Sequence, residues 1–213
     1  MGMRAALLIA MALVAGVGAD TPALFQSGSI PTLSVMSVEL GGGEVLLEVS
    51  VDRTGAVSGI RPLRETATFT ERMTESVKTW HFTPATKPGG PATEPVDAKV
   101  LVAGVFRRPA LIGVTLGEPI RDVAGASPEI VFPTEIVTPP HPPGAINPGV
   151  VLVEVRVNAE GGVADAKIRI SSPAFDSAAL NASRQWKFRP AKSQGANALS
   201  VIYIVFGFPV PKG

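Results

Sequence analysis

Two histidines, one recurring glutamate, a glycine-rich phrase and scattered serines are the side chains of this 213-residue chain that could carry chemistry. His81 and His141 are its only histidines, they lie in different segments, and cysteine is absent. A metal site ordinarily needs three or four ligands, so neither histidine makes one, even with Glu48 near His81, and no metal or cofactor is expected. Glu48 and Glu154 hold the same place in two similar phrases, "VLLEVSV" and "VLVEVRV". A recurring carboxylate could do acid–base work, but both fall on the predicted solvent face of a strand, which lacks the burial that tunes a pKa. Surface charge is the expectation. No Gly-x-Ser-x-Gly phrase or equivalent marks a serine nucleophile. "ELGGGE", Glu39 to Glu44, precedes a strand and not the helix N-terminus that cradles phosphate, so it is read as a turn. No catalytic residue is expected. An exported enzyme without a recognisable motif stays as an alternative whose mark would be buried or clustered carboxylates.

Composition narrows the classes further. With 46% apolar and 17% charged residues the chain is globular. A net charge of +1 without any basic block offers nothing to nucleic acid or an anionic membrane surface. Twenty prolines and 22 glycines predict many turns, short strands and an extended linker. The lack of cysteine removes disulfides, thiol catalysis and Cys-ligated zinc. "MGMRAALLIAMALVAGVGAD" has one positive charge at Arg4, an apolar run and small residues at Gly18 and Ala19, the layout of a secretory signal over residues 1–19. The run is shorter than the ~20 residues that span hydrocarbon, so cleavage is expected, a permanent inner-membrane anchor being the alternative.

The elements that would position any site come in two copies. "TWHFTPA" and "QWKFRPA" hold both tryptophans of the chain, 106 positions apart, and the ungapped match runs from Gly43/Gly149 to Ala85/Ala191. In each copy an alternating strand (Val45, Leu47, Val49, Val51; Val151 to Val157) leads to an Asp- or Asn-started turn ending on Gly55 or Gly161. A returning strand follows, interrupted in copy one by Pro62 and regular in copy two from Ala164 to Ile170. Phe69, Met73, Val77 and Trp80, and likewise Phe175, Ala179, Ala182 and Trp186, form helical stripes. Thr68 with Glu71 predicts a capping box, and Ser172 before Pro173 an N-cap. Trp80 and Phe82, like Trp186 and Phe188, alternate on one face as core anchors, and an apolar strand closes each unit. The fold class is therefore α+β: two small β-β-α-β domains, each an antiparallel sheet packed on one helix. The expected divisions are a signal over 1–19, an N-terminal segment over 20–39, domain one over 40–106, a Pro-rich linker over 107–138 and domain two over 139–210. "TPPHPPG" in the joining region favours extended polyproline geometry, while "PALIGVTLGEPI" is apolar enough to pack on a domain.

The order of strand, Asx-x-x-Gly turn, strand, Ser-x-x-Phe-Asp, Trp-x-Phe-x-Pro-Ala and final apolar strand resembles the C-terminal domain of the TonB family, the periplasmic end of bacterial energy transducers. "SSPAFDSAALNASRQWKFRPA" in the second copy is the most specific piece, and the first copy looks like a divergent one. The resemblance implies a periplasmic, non-catalytic adaptor that binds an envelope protein, such as an outer-membrane transporter, by strand addition to its terminal strand. Carried over by position, that surface is Val201, Ile202, Tyr203, Ile204 and Val205, a stretch apolar on both faces and hence either central or an edge awaiting a partner. Pairing of the two terminal strands with each other, or homodimerisation, is the alternative use of that edge. An energy transducer with an uncleaved anchor is a further alternative, but the segment from Asp20 to Leu40 reaches at most ~70 Å.

Overall fold

A computed structural model describes residues 21–33, 42–87, 94–106 and 117–209. The expected signal peptide lies outside the described residues. The first half contains β1 (Leu24–Ser27), β2 (Glu44–Val51), β3 (Val57–Arg64), α1 (Phe69–Lys78), β4 (His81–Thr83), β5 (Ala85–Lys87), β6 (Glu94–Val96) and β7 (Ala98–Val105). The second contains β8 (Glu118–Pro119), β9 (Phe132–Ile136), β10 (Gly149–Val157), β11 (Val163–Ile170), α2 (Asp176–Ser183), β12 (Lys187–Arg189), β13 (Ala191–Ser193), β14 (Ala196–Ala198) and β15 (Ser200–Phe208).

Each hairpin forms where the alternating strands meet an Asx turn. Asp52 Oδ1 accepts from the Thr54 and Ala56 amides at 2.8 and 3.1 Å, and Asn158 Oδ1 accepts from Gly162 N at 2.8 Å. Gly55 and Gly161 close these turns at φ of 87° and 85°, a region that favours glycine. The Trp-x-Phe strand then docks on the turn: Phe82 N donates to Gly55 O at 2.8 Å and Phe188 N to Gly161 O at 3.1 Å. Both helices begin without the predicted caps. Thr68 sits at φ 69° with no side-chain cap bond, and α2 starts at Asp176, whose own carboxylate accepts from Ser172 N and Ser171 Oγ. Phe69 and Phe175, one at each helix start, instead stack on Phe106 and Phe208 at 4.6 and 4.5 Å between ring centroids.

The two halves do not fold as separate domains. One six-stranded sheet runs through both in the order β11-β10-β15-β7-β2-β3, antiparallel throughout except that β7 and β15 pair in parallel at its centre. Parallel central strands relate the halves by an approximate twofold axis along the strands, which turns the sheet over between them. As a result α1 covers one face and α2 the other. Phe69, Met73, Val77 and Trp80 share a core with Leu152, Val201, Tyr203 and Val205 of the second half. Phe175, Ala179, Ala182 and Trp186 share the other with Leu46, Leu101, Ala103 and Val105 of the first. The two tryptophans thus have like surroundings in separate cores, but neither half owns a whole core.

Two sequence expectations are corrected by this arrangement. β2 and β10 are not half-buried: Leu46, Glu48, Leu152 and Glu154, assigned to solvent, are all buried. Two-state alternation places side chains on faces but says nothing of what covers the second face. The described part of the Pro-rich linker is no spacer either. Ile120, Ile130, Val131, Phe132, Ile136 and Val137 lie in the α2-side core, and β9 pairs with β12. In the same way β1 of the N-terminal segment pairs with β4 on the opposite face.

Candidate binding site

β15 holds the residues that the sequence proposed for partner binding, and its surroundings follow from the sheet order. Its register with β10 runs from Gly149–Phe208 to Val157–Ser200, and with β7 from Leu101–Ile202 to Val105–Phe206. Val201 is 3% exposed, and Ile202, Tyr203, Ile204 and Val205 are fully buried. The expectation of an open acceptor edge at these residues is therefore corrected. A strand apolar on both faces is satisfied here by becoming central, with β7 of the same chain as its second neighbour.

What holds the central strands covered is a pair of arms, each crossing to the other half of the sheet. Tyr203 anchors the first arm: its hydroxyl accepts from Phe25 N at 2.7 Å and donates to Ala23 O at 3.1 Å. Burial, reinforced by the nearby Glu154 carboxylate, pushes this phenol well above its ordinary pKa, so it stays a donor. Arg169 on β11 donates to Phe25 O and lies 3.7 Å from Glu154, which also faces Arg156 at 3.8 Å. On the opposite face Glu48 does the equivalent work for the second arm. It accepts from Ser127 N at 3.0 Å and from Arg61 at 2.8 Å, while Arg61 also donates to Gly125 O at 2.9 Å. Burial opposes ionisation of Glu48, but the Ser127 amide, Arg61 and Lys99 outweigh it and hold the carboxyl below its ordinary value. The anchors Trp80 and Trp186 complete the docking, their indole N–H groups donating to Ser29 O at 2.7 Å and Val137 O at 3.0 Å. Phe82 and Phe188 lie beside them at 6.1 and 6.0 Å between ring centroids.

These buried carboxylates invite comparison with an active site. Glu48 and Glu154 lie on opposite faces, each is occupied by arginine or lysine, and neither lines a cleft. Among the described residues no three His, Asp or Glu side chains converge on a metal position. His81 is exposed and bonds only near its own backbone, and His141 packs half-buried against Phe175 at 5.5 Å. In the six-stranded sheet the described strands leave outer edges at β3 and β11, and a cleft of about 400 Å³ opens where β7 and β15 begin.

The β10-to-β15 unit carries the features that decide its kinship. Residues 147–208 match the family model of the Gram-negative bacterial TonB protein C-terminal. The matched TonB-type stretch starts just before β10 and ends with β15, and the first repeat lies outside it. No curated protein matches the chain. TonB C-terminal domains are protein-interaction modules on the periplasmic side of the cell envelope, associated with energised transport. Among the described residues no helix is long and apolar enough to cross a membrane.

Sequence reasoning missed the first arm and the role of the two glutamates; it expected "PALIGVTLGEPI" to pack on a domain, and though residues 109–116 lie outside the described residues, Ile120 at its end is buried. Part of that was legible: a glutamate embedded in a strand of valines and leucines, in both copies, with arginine on the returning strand, signals a buried ion pair more than surface charge. The arms gave weaker notice, a single Phe25 in "LFQSGSIP" and Phe132 in "FPTEIVTP".

Proposed function

We propose that the chain is a periplasmic, non-catalytic adaptor made of two tandem TonB-type units, the first divergent, which binds an extended segment of another envelope protein by strand addition. The partner class is an outer-membrane transporter. The observation that carries this reading is the match over residues 147–208. Strand addition needs an edge, and β11 supplies one: eight residues without proline, flanked by β10 on one side and, among the described residues, by no strand on the other. β3 is the poorer acceptor because Pro62 has no N–H to donate. The exposed charge of Lys167 on β11 keeps such an edge from indiscriminate pairing. A photoreactive side chain in place of Asp165 or Lys167 tests the assignment, with one in place of Glu75, exposed on α1, as reference. In intact cells the β11 positions should crosslink to an outer-membrane protein and position 75 should not. Equal capture at all three, or none from β11, would remove this reading. Export is tested separately by mass spectrometry of the mature N-terminus, expected at Asp20.

A further inference from the structure

The central strands are not paired along their whole length. β2 accompanies β7 from Ala98 onward and β10 accompanies β15 from Ser200 onward, yet the β7–β15 ladder starts only at Leu101–Ile202. Ala98 to Val100, and Ser200 with Val201, thus have a strand neighbour on their outer sides alone. The cleft of about 400 Å³ opens between them. Three of its features serve nothing in the fold. Ser200 Oγ is buried without a hydrogen-bond partner among the described residues, a state that folded proteins seldom leave in place. Leu199 at the mouth is 45% exposed. Lys87 and Lys192 on the rim are exposed and make no ion pair among the described residues, whereas the rim carboxylates are matched: Asp97 lies 3.8 Å from Arg53 and Glu129 lies 3.8 Å from Lys99.

We propose that this fork is a second docking site, for an extended acidic segment of a partner protein. It takes from the reading above only that the chain recognises extended segments, and it lies on a different surface from β11. About three residues of the segment, ~10 Å of extended chain, run along the one-sided edges over the buried Ser200. Their apolar side chains cover Leu199, and their carboxylates meet Lys87 and Lys192.

The probe is a fluorescein-labelled, end-capped peptide of alternating valine and glutamate, compared with its valine–lysine counterpart. Fluorescence anisotropy reads affinity and amide NMR shifts read location. The acidic peptide should bind saturably, shift the amides of Ala98–Val100 and Leu199–Val201, and bind at least tenfold more weakly to the K87E/K192E double variant. Those two side chains are exposed, so the variant keeps its fold, which its unchanged NMR dispersion elsewhere verifies. The basic peptide should favour the variant. Absence of saturable binding, equal affinity for both peptides, or indifference to the charge reversal overturns the fork. Shifts confined to Val163–Ile170 overturn it as well while leaving the β11 adaptor reading intact, and loss of β11 crosslinking alongside fork binding does the reverse.

Discussion

Replacing Tyr203 by Phe removes one oxygen and tests how the first arm is held. That oxygen serves both Phe25 N and Ala23 O, at 2.7 and 3.1 Å, and both residues are buried. The ring keeps its edge-on packing against Trp80 and Phe82, at 5.9 and 5.6 Å, so the perturbation is confined to hydrogen bonding. A buried donor left without a partner costs about 1–3 kcal/mol. The carbonyl tolerates the loss better, having a second lone pair, so about 2 kcal/mol is expected for the variant, all of it in the docked arm. At 1.4 kcal/mol per factor of ten, the arm-open state becomes roughly 30-fold more populated. Native-state hydrogen exchange reads this directly, because local opening of an arm exposes its amides without global unfolding. In Y203F the Phe25 amide should exchange roughly 30-fold faster, while amides of β9 and β12 on the opposite face keep their protection. Unchanged protection at Phe25 would show that the hydroxyl is not the latch. Equal loosening of β1 and β9 would show that the arms do not move independently.

Glu48→Gln should destabilise the protein by about 1–2 kcal/mol at pH 7, a figure discounted because its partners Arg61 and Lys99 are partly solvated. Because the folded carboxyl titrates below its ordinary value of 4.5, its contribution is complete above that value and is lost as pH falls through the lower folded pKa. Urea midpoints should therefore fall more steeply for the wild type than for E48Q between pH 5 and 3, and parallel curves would contradict the assignment. Gly161→Ala adds a Cβ 2.1 Å from the Phe188 carbonyl at φ 85°, for an expected loss of more than about 2 kcal/mol in thermal or urea unfolding. Leu46→Ala, at a position that alternation assigns to solvent, should cost about 2–4 kcal/mol as a fully buried leucine does; a change within experimental error would mean that the α2-side core does not extend over β2.

How far the fold could be read from the residues depended on the range of the interaction. Local chemistry was legible: the Asx turns at Asp52 and Asn158, the helical stripes of Phe69–Met73–Val77 and Phe175–Ala179–Ala182, and the Trp-x-Phe anchors all act within a few residues. The helix caps were misassigned because Thr68 takes a left-handed φ of 69° and makes no cap bond, while α2 begins only at Asp176, four residues past Ser172. Contacts across the halves were legible at one place, the mutual pairing of the terminal strands, which stood as the alternative use of that edge; the docking of the arms was not. Trp80 meets Ser29 across 51 positions, Tyr203 meets Phe25 across 178, and nothing periodic links the members of either pair.

The parallel union of β7 and β15 closes the strand on which the TonB resemblance would place an acceptor edge. A single unit ending in a strand apolar on both faces must leave an edge open, pair with a second molecule, or take up a partner's strand. Two such units on one chain have another solution, since covalent linkage makes the pairing of their terminal strands intramolecular. An incoming strand at Val201–Val205 would have to displace β7, and with it Leu101, Ala103 and Val105 from one core and Val100 and Val102 from the other. Burial of each of the larger such side chains contributes about 1.5–3 kcal/mol, so displacing β7 forfeits several such contributions at once. The recognition proposed above therefore falls off the middle of the terminal strand, on β11 at the outer edge and on the fork where β7 and β15 have not yet met.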